Sequence, residues 1–309
     1  MKKINLYIAA LAVTFSLISC QEDSLSDESV INVQTVEQTD FDKWLQKNFV
    51  EPYNIDFKYR FEMGESDMNY YTIPAKYELA IKMAHLVKYL CVDTYDEVAG
   101  PEFTRGNFPK MFFLIGTWEY KNNGTFILGT AEGGRKILLA GINELTDELC
   151  TDTEALNYYY IKTIHHEFTH ILNQTRDFPT AFKEVTGSKY VAGSWSTSPF
   201  SDKGVCLLRG FITAYAENEA REDFAEMVSE YITHDADWWE KQMKDAEGTW
   251  DGDLDQTISG RELIEQKLGI TRAYLHDVWG IDIDQLRQVV MRRQNDIANG
   301  RIDLNNIEL

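Results

Sequence analysis

The chain has 309 residues, of which 44% are hydrophobic and 13% aromatic, a composition that excludes a disordered protein and supplies a sizeable core. Its 50 acidic and 30 basic residues give a formal charge of −20, which argues against binding to nucleic acid or to anionic lipid headgroups. The length accommodates one large domain or two small ones.

The N-terminus is typical of a secretory signal. Two lysines precede the apolar run Ile4–Ile18, which is too short for a comfortable transmembrane helix. The run ends in Leu-Ile-Ser-Cys at positions 17–20, which resembles a bacterial lipobox. We therefore predict a signal peptide over residues 1–19 and a lipidated Cys20 at the start of the mature protein; the alternative is an ordinary signal peptide followed by a chance cysteine.

The segment after Cys20 is polar, acidic and aperiodic, and it predicts a flexible tether over residues 20–40. Its first residues, Gln21-Glu22-Asp23, resemble the acidic export tag of surface lipoproteins in Bacteroidetes. That resemblance implies an outer-membrane lipoprotein exposed at the cell surface and held there by its lipid rather than by charge. We expect the folded domain to cover residues 41–309.

The first part of the domain predicts one helix and several strands. Residues 73–90 carry apolar side chains at helical spacing. Strand-like runs follow at 110–120, 125–130 and 135–142, with Asn122-Asn123-Gly124 between the first two as a tight-turn signature. These runs predict a small, largely antiparallel sheet.

The second part predicts helices only. They cover residues 155–173, part of 214–232, and then 237–246, 260–279 and 283–297. This order predicts an α+β fold with a mixed sheet and helix N-terminal lobe, about 41–178, and a helical C-terminal lobe, about 179–309.

The helix over 155–173 contains His166-Glu167-x-x-His170. Residues four apart share a helix face, so the two imidazoles can bind one zinc ion, and Glu167 can reach a water on that ion. With six histidines in the chain, chance rarely produces this spacing. The alternative is a buried helix with structural histidines, the role that we expect for the adjacent His165.

A hydrolytic zinc site needs a third protein ligand and an open position for water. One class of enzymes adds a third His at a Gly-x-x-His unit, but Asn173 and Arg176 occupy those two places, which excludes that class. Another class takes a Glu from a later helix. The acidic residues available for this are Glu217, Glu219, Glu222, Asp223, Glu226 and Glu230. A solvated acidic helix face is the alternative.

The zinc motif followed by Glu-Asp-Phe-Ala-Glu at 222–226 resembles the gluzincin branch of the zinc metallopeptidases, which implies a zincin-like fold. The resemblance implies that Glu222 is the third ligand and that Glu226 orients a zinc-bound His. It also implies that Tyr215, seven residues before Glu222, donates a hydrogen bond to the oxyanion of the tetrahedral intermediate. The alternative for Tyr215 is a buried aromatic.

The lipobox, the zinc motif and the string at 260–287 together resemble the substrate import-associated zinc metallohydrolase lipoproteins of Bacteroidetes. This resemblance implies two partners, an outer-membrane TonB-dependent importer and a surface binding lipoprotein. We predict a zinc-dependent peptidase that acts on a peptide or protein substrate, with Glu167 as general base. The alternative is a non-catalytic accessory lipoprotein of a nutrient-uptake complex with structural or vestigial zinc, which would not need Glu167.

Two further features leave alternatives open. Cys91, Cys150 and Cys206 allow at most one disulfide, or all three are small buried residues. Residues 251–262 place acids at positions 1, 3, 5 and 12 of a calcium-loop pattern, but Gln256 stands where the loop needs glycine. We therefore favour an acidic loop before a helix, with calcium as the alternative.

Overall fold

A computed structural model describes residues 37–67, 69–120, 126–127, 129–132 and 135–309. The chain divides into two units, Met1–Gln38 and Thr39–Leu309. The predicted signal peptide, Cys20 and most of the predicted tether lie outside the described residues. Among the helices described, none is long and apolar enough to cross a membrane.

The described part of the first half of the domain contains six α-helices and a small sheet. The helices are α1 (Asp40–Leu45), α2 (Glu51–Tyr53), α3 (Tyr77–Val87), α4 (Asp93–Ala99), α5 (Pro101–Asn107) and α6 (Thr153–Leu156). The helix predicted over 73–90 is confirmed as α3, which continues as a π-helical turn, Lys88–Val92. Pro101 starts α5. Proline is well tolerated there, because the N–H groups of the first helical turn have no partner within the helix.

The second half is helical, as predicted. Its helices are α7 (Lys162–Thr175), α8 (Thr180–Thr186), α9 (Lys203–Leu208), α10 (Ala220–Thr233), α11 (Ala236–Asp245), α12 (Gly260–Trp279) and α13 (Ile283–Ala298). The two short helices α8 and α9 were not predicted. A π-helical turn, Asn157–Ile161, joins α6 to α7. The capping box of Ser259 and Glu262 fixes the start of α12. The predicted α+β class is confirmed.

The sheet itself differs from the prediction. Its strands are β1 (Asp56–Lys58), β2 (Met111–Leu114), β5 (Gly129–Glu132) and β6 (Lys136–Leu139), in the order β1-β2-β6-β5. The β1–β2 and β2–β6 pairs are parallel, and only β5–β6 is antiparallel. The prediction of a largely antiparallel sheet is therefore wrong.

The physical reason lies in the connections. Helices α3, α4 and α5 separate β1 from β2, and a helical crossover returns the chain in the same direction. The predicted hairpin forms only a separate two-stranded ribbon, β3 (Glu119–Tyr120) with β4 (Phe126–Ile127), and its Asn-Asn-Gly turn lies outside the described residues. Strands β2 and β6 are buried on both faces, as their uninterrupted apolar runs would suggest for parallel strands.

One apolar core runs through both halves of the domain. Phe168 of α7, Phe224 of α10 and Tyr274 of α12 belong to the same cluster of buried side chains as the sheet residues Phe112 and Ile137. Burial of each such aromatic side chain contributes roughly 1.5–3 kcal/mol. Helices α7 and α10 pack side by side more extensively than any other two described elements, and this contact brings the predicted site residues together.

Candidate metal centre

The two histidines of the motif lie one turn apart on α7. Their Nε2 atoms are 3.0 Å apart, and the ring planes stand at 81° to each other. His166 is buried, whereas His170 is half-buried at the edge of a cleft. Apolar residues of α7 such as Ile164 and Phe168 bury its other face, and this packing fixes the direction of both imidazoles.

Glu222, in the first turn of α10, completes a group of three ligand-type side chains. Its Oε2 atom lies 3.0 Å from His166 Nε2 and 3.2 Å from His170 Nε2. Among the described residues, no other group of three or more His, Cys, Asp or Glu side chains is arranged to hold a metal ion. Ala225 and Ser229 of α10 are fully buried, and such small side chains allow a helix to approach its neighbour closely.

The arrangement fits zinc. Donor atoms that share a tetrahedral zinc at roughly 2.0–2.2 Å stand roughly 3.3–3.6 Å apart, so the observed separations need to open by only a few tenths of an ångström. Two imidazole nitrogens and one carboxylate oxygen form the donor set of many hydrolytic zinc sites. His170 and Glu222 also line a cleft, which would give a bound metal access to water.

Charge couples the three side chains. Burial disfavours ionisation of Glu222, but hydrogen bonds with His166 and His170 outweigh it and lower the pKa of Glu222 to about 2. Burial also disfavours a charged His166, yet its contacts with Glu222 and Glu226 raise the pKa of His166 to about 9 in the metal-free protein. A proton and a metal ion therefore compete for the same imidazole nitrogen.

Glu226, one turn after Glu222, contacts His166 from the buried side of the centre, which we call the inner side. Its Oε1 atom lies 2.8 Å from His166 Nδ1, the nitrogen that faces away from the other two ligand-type side chains. Burial opposes ionisation of Glu226, but the charge of Lys162 and hydrogen bonds from His166 and Thr213 hold its pKa below the usual value. A carboxylate here favours a proton on Nδ1 and leaves the Nε2 lone pair free for a metal.

The open side of the centre is a cleft of about 420 Å³. It is lined by Glu167, His170, Asn173, Gln174, Asp177, Phe178, Glu219, Arg221 and Glu222. Glu167 therefore shares the cleft with two of the three ligand-type residues, which is the place that a general base requires.

Tyr215 also lies at the centre, in the 3₁₀ turn Tyr215–Glu217 that precedes α10. Its ring centroid is 6.0 Å from that of His166, and the ring of Trp195 packs edge-on against it at 5.0 Å. Burial raises the pKa of Tyr215, as do the charge of Glu222 and a hydrogen bond to it, so the phenol stays protonated and able to donate.

The structure thus brings together all six residues that the sequence proposed for the centre, His166, Glu167, His170, Tyr215, Glu222 and Glu226. Three neighbours were missed. Lys162 and Thr213 contact Glu226, and Trp195 contacts Tyr215. The sequence could have indicated Lys162, because it lies four residues before His166 and therefore on the same face of the helix. No sequence pattern indicates Thr213 or Trp195.

The remaining polar candidates have structural roles. His165 is fully buried with its Nδ1 atom 3.1 Å from the Tyr95 hydroxyl, and burial lowers its pKa to about 3. Cys91, Cys150 and Cys206 are free and buried, so no disulfide forms among them.

The acidic segment 251–262 is a structural loop. Asp253 pairs with the buried guanidinium of Arg209 at 3.0 Å, and Glu262 caps α12. The amide of Gln256 hydrogen-bonds to the backbone oxygen of Leu208 at 2.7 Å, which ties the loop to the end of α9. Because two of its four acids already have partners, the structure favours the acidic-loop interpretation over a calcium loop.

The fold and the three ligand-type side chains resemble those of zinc metallopeptidases whose metal is held by two His and one Glu. Residues 34–284 match the model of a family described as "Putative zinc-binding metallo-peptidase", and the chain belongs to that family. It is similar to a crystal structure described as a "putative zinc-binding metallo-peptidase" from Bacteroides caccae, with 34% identity and a TM-score of 0.72. That match covers 91% of this chain and 100% of the other. A search of curated proteins finds no match.

These findings confirm the predicted metallopeptidase family and zinc as its metal. The lipid anchor, the surface location and the import partners stay predictions.

Proposed function

We propose that the protein is a zinc-dependent peptidase that hydrolyses amide bonds in a peptide or protein. The observation that carries this proposal is the position of Glu167 in the cleft beside His170 and Glu222. A structural zinc site has four protein ligands and no use for a general base. Here three ligand-type side chains, a carboxylate and a water-accessible cleft lie together, which is the arrangement of a hydrolytic centre.

The residues would divide the reaction as follows. When bound, zinc supplies a Lewis acid that polarises the substrate carbonyl and makes water more acidic. Glu167 accepts the proton of the attacking water and then delivers it to the leaving nitrogen. Tyr215 donates a hydrogen bond to the developing oxyanion. Glu226 keeps His166 oriented throughout.

The sheet offers a place for the substrate backbone. Strand β5 is at an edge of the four-stranded sheet and packs beside α7, the helix with the two histidines. An edge strand has unpaired backbone groups on its outer side, and an extended peptide can pair with them. We propose that β5 aligns the substrate along the metal centre.

The rival function is a non-catalytic accessory lipoprotein of an uptake complex. Digestion of a peptide library by the zinc-loaded protein, followed by mass spectrometry, separates the two. We expect cleavage by the native protein and none after zinc removal by a chelator. If the zinc-loaded protein cleaves no peptide in the library, the accessory function is favoured.

We further propose that the protein is a surface-exposed outer-membrane lipoprotein that works with a TonB-dependent importer and its binding lipoprotein. The support is the lipobox at 17–20 and the acidic residues after it. A Cys20→Ala variant should appear in the soluble fraction of fractionated cells, whereas Cys150→Ala, which changes a buried cysteine, should remain with the membrane. Membrane retention of the Cys20→Ala variant would contradict the lipid anchor.

A further inference from the structure

Glu226 is held on both of its carboxylate oxygens. Oε1 lies 2.8 Å from His166 Nδ1 and 3.2 Å from Lys162 Nζ. Oε2 accepts from Lys162 Nζ at 3.1 Å and from Thr213 Oγ1 at 2.7 Å. Only 3% of the side chain is exposed, so water does not substitute for these partners. Rotation of the carboxylate away from His166 would break all four contacts.

Lys162 also contacts a second carboxylate. Its Nζ atom lies 3.0 Å from Oε1 of Glu230, which is one turn beyond Glu226 on α10 and is also buried. Two buried carboxylates one turn apart repel each other, and without a cation between them one would lose its charge or turn away. The single ammonium group leaves one net negative charge beside His166.

The contacts form a ladder between two helices. Lys162 and His166 are one turn apart on α7, and Glu226 and Glu230 are one turn apart on α10, so basic and acidic side chains alternate across the helix–helix contact. At the outer end, His234 Nδ1 lies 3.2 Å from Glu230 Oε2. The ladder thus extends from the metal centre toward the surface.

We propose that Lys162 is a positioning residue for the metal centre. By bridging Glu226 and Glu230, it holds Glu226 against His166 and thereby sets how tightly the protein retains zinc. Lys162 is not one of the three ligand-type residues and does not line the cleft, so its effect passes through the orientation of His166. This inference rests on the assignment of His166 as a zinc ligand in the proposed function.

The test measures zinc release from the whole protein to a chromophoric chelator. Residues that orient a metal ligand typically change metal affinity by about 10–100-fold, so Lys162→Met should release zinc about 10-fold faster than the native protein. Cobalt-substituted Lys162→Met should also show a shifted visible absorption band, because the imidazole is no longer fixed. Lys162→Arg restores a cation between the two carboxylates and should recover most of the retention.

Lys58→Met is the matched control. Lys58 is similarly buried, with 17% of its side chain exposed against 23% for Lys162, and it pairs with Glu62 and Glu65. Its loss should reduce stability without faster zinc release. Equal acceleration in both variants, or a native release rate in Lys162→Met, would overturn the proposal.

Two further variants keep the outcome interpretable. If Lys162→Met does not fold, Lys162→Gln removes the same charge with a side chain that still donates hydrogen bonds, and it should also speed zinc release; a native rate would then overturn the proposal. Glu222→Ala reports on the metal site itself. Full zinc retention in Glu222→Ala would contradict the ligand set. If Glu222→Ala loses zinc but Lys162→Met releases zinc at the native rate, only the proposed role of Lys162 is contradicted.

Discussion

The inner and outer sides of the metal centre are built in different ways. On the inner side, Glu226 is buried and both of its oxygens contact Lys162, His166 or Thr213. On the outer side, Glu167 lies in a cleft of about 420 Å³ that it shares with exposed charged residues such as Glu219 and Arg221. The inner side fixes the ligands through buried groups in close contact, and the outer side leaves space for a substrate.

This difference has a physical basis. A buried ionised group needs partners for every lone pair, because its desolvation is otherwise uncompensated. A group that exchanges protons with a reactant needs access to that reactant and a pKa that allows both forms. Variants on the inner side should therefore affect metal retention, and variants on the outer side should affect turnover at constant metal content.

The largest effect is expected from loss of Glu222, the third ligand-type residue, which contacts the buried His166 and also lines the cleft. Glu222→Ala removes the only carboxylate of the three-residue group and should empty the site, as measured by metal analysis after dialysis. Glu219→Ala, which changes an exposed acid of the same cleft, should keep one zinc per chain. Full zinc occupancy in Glu222→Ala would exclude it from the ligand set.

The next largest effect is expected from the outer side. Glu167→Gln keeps the shape of the side chain and all three ligands, so zinc should stay bound. Hydrolysis should fall by about 10²–10⁴-fold, the usual contribution of a positioned proton-transfer group. Asp177→Asn, a charge change in the same cleft, should retain most of the activity. Native turnover by Glu167→Gln would contradict the peptidase mechanism.

Loss of the Tyr215 hydroxyl should have a somewhat smaller effect. Tyr215→Phe should keep zinc and reduce kcat by about 10²–10³-fold, the range reported by removal of one oxyanion donor. The ring and its packing on Trp195 stay in place, so the unfolding temperature should change little. A variant that loses zinc instead would show that Tyr215 stabilises the ligand Glu222 rather than the reaction.

The sequence indicated residues that the structure places together, because the determinants of this grouping are largely local. The spacing of His166 and His170 within one helix already places both on one face, and the later helix supplies the acids. Glu222 was chosen among six acids only by resemblance, and the structure places it next to the two histidines. The boundaries of the longer helices of the second half were predicted well for the same reason, since apolar periodicity and caps lie within each segment, whereas the short helices α1, α2, α4, α5, α8 and α9 were not predicted.

What the sequence failed to predict depends on long-range packing. Strand β1 has only three residues and pairs with β2, from which three helices separate it in sequence, so no local pattern predicts this strand. The Asn-Asn-Gly signature favoured a hairpin as the basis of the sheet, whereas the main sheet forms by pairing of β2 with β1 and β6. The contacts of Lys162 and Thr213 with Glu226 likewise require the relative positions of α7, α10 and the segment before it.

The smallest expected effect is a pH dependence of the metal-free protein. Contacts with Glu222 and Glu226 raise the pKa of His166 from 6.5 to about 9. Between these two values the folded protein holds a proton that the unfolded chain has released, so the free energy of unfolding should fall as pH rises from 6.5 to 9. We expect a fall of at most about 3 kcal/mol, measured by denaturant unfolding after zinc removal.

Zinc should abolish this pH dependence, because the metal replaces the proton on His166 and leaves Nδ1 paired with Glu226. Zinc binding near pH 7.5 should correspondingly release about one proton, which titration calorimetry in buffers of different ionisation enthalpy can count. His276→Gln, a change at an exposed histidine outside the centre, should leave both results unchanged. A metal-free protein whose unfolding free energy stays constant from pH 6.5 to 9 would show that the inner carboxylate does not hold His166 as the structure indicates, and the contrast between a fixed inner side and an open outer side would lose its main support.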